Sequence, residues 1–293
     1  MRLDVATALL QWSTGGLLGC WVTTRRREVG LGYGWLLRST YLVFALGAFA
    51  AGTADADSGA GATLRDAASL AVAAATGVAL LASVIRRRAG IRGQEAVRAS
   101  RRERVAKMLS RPTGPESGPE GLESGPETRE FNPALDLVAP VVGFVGLLGA
   151  ASAVGGPYPL GVARLVTGAV LLGLVSDAML LGHWYLVQPG LGRDPIRELV
   201  RLVAWVWPLE VIALLWPTGM VQVIDGTIDD GWAGLLGWTW AVSAVTTIGL
   251  VGATWLALKE RSYSAVMAAT GLLYLAILTA FGTDLIARAV LAP

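Results

Sequence analysis

Cysteine and histidine are almost missing from this chain: Cys20 and His183 are the only ones among 293 residues. A single cysteine excludes an intrachain disulfide. A single histidine excludes bis-histidine haem ligation and a histidine-rich metal cage within one chain. Lysine is scarce too, with 2 against 22 arginines. Charged residues make up only 16%, where a soluble domain carries about 25%. Polar/apolar alternation is also lacking, which excludes transmembrane barrel strands. Gly30, Gly32 and Gly34 have no preceding strand and no GxGxxG spacing, so they read as a tight turn and not a phosphate site. With no metal triad and no nucleophile–base spacing, neither a catalytic residue nor a cofactor is expected.

What is present is apolar helix. Hydrophobic residues make up 54%, and the mean hydropathy is +0.55. They fall into runs of about twenty residues, each long enough to cross roughly 30 Å of hydrocarbon. The expected spans are 5–23, 33–51, 66–85, 135–154, 160–187, 196–218, 232–257 and 265–288. The expected fold is therefore an all-α polytopic integral membrane bundle of about eight transmembrane helices in one domain. The first apolar run has its basic residues, Arg25 to Arg27, after it, the reverse of a cleaved signal peptide. It reads as a retained anchor. The Arg- and Ala-rich composition suggests a GC-rich bacterial genome and hence the inner (plasma) membrane.

Arginine and lysine in the short loops set the orientation. Arg25 to Arg27, ten basic residues from Arg86 to Arg111, Arg193, Arg197 and Arg201, and Lys259 with Arg261 all fall on one side. The other side has Arg2, Arg65, Arg164 and Arg288, with Asp55, Asp57, Asp225, Asp229 and Asp230 in its loops. The basic side is expected in the cytoplasm, with both termini outside. The long loop, 86–134, is then cytoplasmic. Its first part is basic and suits anionic lipid headgroups. Its second part, rich in Pro, Gly, Ser and Glu, is expected to be disordered. No aromatic residues interleave the charges, so nucleic acid is not expected as a partner. The lipid bilayer is, together with further copies of the chain or subunits of a membrane complex.

Leu17-Leu18-Gly19-Cys20-Trp21 matches Leu180-Leu181-Gly182-His183-Trp184, and the same offset puts Arg38 on Arg201. Two readings stand: chance recurrence in a Leu/Gly-rich chain, or a 4+4 parallel internal repeat of the kind transporters use. Glycines at 143, 146 and 149, and at 231, 234 and 237, place small residues on helix faces for close packing. Asp136 is expected in a first helical turn, with Asn132 as cap and Pro133 beginning the helix. Arg38, Arg201, Arg164 and Asp284 lie near span ends and are expected to reach the headgroups. Trp21, Trp35, Trp184 and Tyr185 suit one aromatic belt, and Trp216 and Trp232 the other. Trp205, Trp207, Trp238 and Trp240 lie deeper, where two readings stand: the lining of a ligand pocket or, more commonly, packing of helix against helix.

Asp177 and Glu210 stand apart. Counted from the inner ends of their spans, they lie roughly 15 Å and 21 Å deep at 1.5 Å per residue. Ionisable groups at that depth are costly and face a cavity or a partner. Pro208 removes a helical hydrogen bond beside Glu210 and is expected to kink that helix. His183 lies near the basic interface, 240° around the helix from Asp177. The leading functional expectation is a proton-linked carrier or channel-like protein with a polar site at Asp177 and Glu210, His183 being a further candidate. The alternative is a non-catalytic subunit or assembly factor of a larger membrane complex. An intramembrane enzyme is the weakest reading.

Overall fold

The computed structural model describes residues 4–55, 59–86, 131–153, 156–188, 190–217 and 219–291. Among these, every regular element is a helix. In chain order they are α1 (Val5–Thr24), α2 (Leu31–Ala54), α3 (Ala60–Ile85), α4 (Leu135–Ala151) and α5 (Tyr158–Val187). These are followed by α6 (Asp194–Leu215), the single turn and a half α7 (Met220–Ile224), α8 (Leu235–Ala257) and α9 (Tyr263–Val290). The basic and Pro/Gly/Ser/Glu-rich stretches expected over 87–130 lie outside the described residues.

Each of the eight expected segments coincides with a helix to within a few residues. Five of these helices, α2, α3, α5, α8 and α9, are long and apolar enough to cross a membrane. The other three differ for identifiable reasons. α4 has 17 residues, which is roughly 25 Å of helix. α1 carries Gln11, Ser13, Thr14, Thr23 and Thr24, and α6 carries Asp194, Arg197, Glu198, Arg201 and Glu210.

The helices pack as two rings. α1 to α4 close one, with α1 on α2, α2 on α3, α3 on α4 and α4 on α1. α5, α6, α8 and α9 close the other in the same order. The rings meet along α1 and α5, which run in the same direction: Gln11 lies by Gly168, Gly15 by Ala169 and Gly173, and Gly19 by Asp177. This seam is backbone on backbone. A methyl group on Gly15 would lie 1.7 Å from the Ala169 carbonyl oxygen, and one on Gly173 1.9 Å from the Gly15 carbonyl carbon. Small residues permit this approach, and in lipid that close van der Waals packing replaces the hydrophobic drive of water. Of the five helices long and apolar enough to cross a membrane, α5 is the most enclosed, with 72% of its most apolar stretch buried.

The glycines of α4 do pack closely, Gly143 on Thr14, Gly146 on Ala68 and Gly149 on Leu64. Gly231 and Gly234 instead lie in the loop before α8 at φ +70° and +83°, backbone that only glycine adopts without strain. That loop is wrapped around Asp230, whose carboxylate accepts from the backbone N–H groups of Trp232, Gly234, Leu236 and Gly237. The α4 start also differs from expectation. Leu135 is its first residue, and Asn132 accepts from Ala134 N–H one turn earlier. Of the deeper tryptophans, Trp240 is buried and Trp207 donates to the Ala244 carbonyl, but Trp205 and Trp238 face outward at 72% and 61% exposure. Tyr185, expected in a belt, is buried and donates to the Gly192 carbonyl.

Candidate functional site

Buried polar side chains form three groups, one within the α1–α4 ring and two along the α1–α5 seam. The first lies toward the basic end. Arg38 and Asp136, expected near headgroups and at a helix start, form a buried two-point ion pair: Nε donates to Oδ1 at 2.7 Å and Nη2 to Oδ2 at 2.6 Å. Thr24 donates to the same carboxylate at 2.9 Å, and Ser83 accepts from Arg38 and Trp35. Phe131 lies against the guanidinium, 4.7 Å from ring centroid to carbon. Both ions are almost fully saturated, and they tie α1, α2, α3 and α4 together. This is a structural knot. A planar fork matched to a carboxylate is the arrangement that makes a buried pair tolerable.

The second group surrounds Asp177, which is wholly buried. Tyr41 donates its hydroxyl to Oδ1, and Tyr33 donates to the Asp177 backbone carbonyl at 3.0 Å. The other carboxyl oxygen, Oδ2, has no hydrogen-bond partner among the described residues. It points at Gly19, where a methyl group would come within 2.2 Å of it. The Tyr41 ring lies over Gly16 in the same way.

The third group lies toward the other end and is the densest. Glu210 accepts from Thr167 through Oε2. Asp284 accepts from Arg288 at 2.7 Å, one turn along α9. Gln11 enters from α1. All three reach the bare backbone of Gly168: a methyl group there would lie 2.2 Å from Gln11 Nε2, 3.2 Å from Asp284 Oδ1 and 3.3 Å from Glu210 Oε1. None of these three atoms has a hydrogen-bond partner among the described residues, nor do Gln11 Oε1 and Arg288 Nη2. Arg164 flanks the group, donating to the Ala213 carbonyl at 2.9 Å. Carboxyl, amide and guanidinium groups are thus gathered at one buried place. Left without partners, each costs free energy on the order of 1–3 kcal/mol.

Asp177 and Glu210 are therefore not neighbours, contrary to the expectation of one polar site formed by both. Glu210 touches Thr167, and ten residues of α5 separate Thr167 from Asp177, roughly 15 Å. Counting depth from loop ends assumed equal offsets in helices that start at different levels. His183 joins neither group and is exposed on the last turns of α5. α6 runs unbroken through Pro208. Arg164 and Asp284 are buried, not spread among headgroups. Gln11, Thr167, Gly168 and Arg288 are site residues that sequence reasoning did not single out. One signal was available: Asp284 and Arg288, four apart in an apolar helix, are an acid–base pair facing one side.

Between the second and third groups the seam closes completely at Gly15, Ala169 and Gly173. The two polar sites are thus separated by touching backbones. Among the described residues no three His, Cys, Asp or Glu side chains come together as a metal site.

Among the described residues the fold and site define an all-helical protein with five helices long and apolar enough to cross a membrane and with buried ionisable groups. No protein-family model, no curated protein and no solved structure matches the chain.

Proposed function

We propose that the chain is a proton-linked membrane carrier whose polar binding site is the cluster of Glu210, Asp284 and Gln11 over Gly168. Asp177 with Tyr41 serves as a second polar position on the way to the basic face. The observation that carries this reading is the convergence of unpartnered carboxyl and amide atoms on one glycine backbone. Buried polar atoms are nearly always paired, and ionisable groups inside a membrane mark ion and substrate pathways.

The two rings supply the moving parts. Their matching order of contacts supports a 4+4 parallel duplication and eight spans, although Cys20 and Arg38 are buried while His183 and Arg201 are exposed. The likeness is one of helix order, not of matched environments. In this reading the rings rock about the α1–α5 seam, opening the Gly15–Gly173 contact on one side and then the other. The basic end faces the cytoplasm of a bacterial inner membrane, and both termini lie outside. Reporter fusions active after residues 28, 115, 192 and 261 and silent after 58, 157 and 226 test that placement.

The function is tested in proteoliposomes holding a pH-sensitive dye, with an inward-negative potential imposed. The parent should acidify the lumen faster than empty liposomes. Glu210→Gln and Asp177→Asn should each return the rate to that of empty liposomes while the protein stays folded. Equal rates for parent and both variants would contradict the proposal.

One observation favours a second reading, a non-catalytic subunit of a membrane complex. Trp205, Trp216, Trp232 and Trp238 are 72%, 70%, 66% and 61% exposed on the α6–α8 side. Aromatic side chains of this size are common anchors at protein interfaces. Purification in mild detergent separates the two: a subunit brings partners, and a carrier elutes alone or as a homo-oligomer.

A further inference from the structure

α6 and α8 do not pack flush. Toward the basic end a cavity of about 490 Å³ opens between them, lined by Arg26, Arg197, Arg201 and Lys259, with Asp194 and Glu198. Farther along the same pair of helices runs a groove of about 510 Å³. Its walls are apolar: Ala204, Trp205, Pro208, Ile248, Val251 and Gly252. The two spaces share Arg201 and Trp255 in their linings and are therefore adjacent.

Their chemistry is opposite. In the cavity four cations face two carboxylates, and one of those, Glu198, is already held by Arg25 and Arg26. Arg197 donates to the Leu258 carbonyl at 2.7 Å. Among the described residues Arg201 and Lys259 have no carboxylate partner; Arg201 lies 5.5 Å over the Trp255 ring, at the junction of the two spaces. The groove extends from Arg201 to Pro208, roughly 10 Å along the helix. It holds no charge beyond Arg201 at its mouth. Gly252 keeps it open, with no atom within 4 Å of where its side chain would begin.

We infer that this seam holds an anionic phospholipid, its phosphate in the basic cavity and one acyl chain in the groove. The shape and charge are those of an amphiphile, with cationic side chains at the headgroup level of the basic face and an apolar channel running into the hydrocarbon. Basic pockets between membrane helices bind anionic headgroups on this principle. A soluble phosphate would use only the first half of the site. The inference is independent of the carrier reading, because it involves neither Gly168 nor Asp177.

The test uses the full chain in detergent and native mass spectrometry. The probes are phosphatidylglycerol, phosphatidylcholine with the same acyl chains, and glycerol 3-phosphate. The parent should retain a first phosphatidylglycerol at concentrations where phosphatidylcholine is not retained. Gly252→Leu starts its side chain in open space and directs it into the groove, so it should keep the parent's helicity and melting temperature yet lose that lipid. Arg201→Gln combined with Lys259→Gln should weaken phosphatidylglycerol by about fivefold per charge removed, leaving phosphatidylcholine unchanged. If the double variant fails to fold, Gly252→Leu decides. Equal retention of the two lipids, or unchanged retention by Gly252→Leu, would overturn the inference. So would glycerol 3-phosphate binding as tightly as the lipid.

Discussion

Gly168 lies directly beneath Gln11, so close that a methyl group on the glycine would be 2.2 Å from the glutamine Nε2. That atom ends a flexible side chain, which can swing aside. Gly168→Ala is therefore expected to fold, with a melting temperature within a few degrees of the parent, and to lose proton uptake because Gln11 is displaced from Glu210 and Asp284. Gly15→Ala should behave differently. Its methyl group meets the Ala169 carbonyl oxygen at 1.7 Å, and backbone cannot step aside. Size-exclusion chromatography of the two variants side by side checks this: a folded peak for Gly168→Ala, aggregate for Gly15→Ala.

The Arg38–Asp136 pair predicts a different pattern. Both side chains are 2% exposed, so solvent screens little of their interaction. Removing one partner leaves a buried charge, and Arg38→Gln or Asp136→Asn should each cost about 3–5 kcal/mol. Arg38→Met together with Asp136→Leu removes both charges and should recover most of that loss. Unfolding by denaturant in a fixed detergent gives the three values.

Asp230 sets an acid limit on the α8 start. Desolvation raises its pKa, and the N–H donors of Gly234, Trp232, Leu236 and Gly237 outweigh that, holding it below the ordinary carboxylate range. Its folded-state pKa is thus depressed. The stabilisation is fully present above the unfolded value near pH 4 and is lost as pH falls through the lower folded value. Asp230→Ala should lower the melting temperature by a few degrees at pH 7. The difference from the parent should vanish toward the acid end. A gap that stays constant down to acid pH would show that the carboxylate charge is not what holds the loop.

Helix positions were legible because apolar runs of membrane length leave little alternative, and every expected segment is a helix. Partnership was not legible. Arg38 and Asp136 are 98 residues apart, and nothing local in either helix indicates that the two will meet. The buried state of Arg164 and Asp284 was likewise hidden, because a charge near a span end reads the same whether it turns toward water or toward a neighbouring helix. Gln11 was overlooked for being uncharged, and Gly168 for being one of 37 glycines. Only the crossing of α1 over α5 brings them together. The depth of Asp177 relative to Glu210 failed for a related reason: residue counts from loop ends ignore how far one helix slides along another.

If the Gly168 cluster is a working site reached by water, a cysteine in place of Gln11 will react there. Cys20 is buried, and Cys20→Ala leaves no other thiol. In that background Gln11→Cys puts a single thiol over Gly168. Membrane vesicles of both orientations would be treated with a charged, membrane-impermeant thiol reagent, and labelling read by mass spectrometry. A carrier that rocks about the α1–α5 seam exposes this thiol to water from the outer face and, on opening the Gly15–Gly173 contact, from the basic face as well. Labelling is expected from both orientations. A folded variant that resists the reagent from both sides would contradict it.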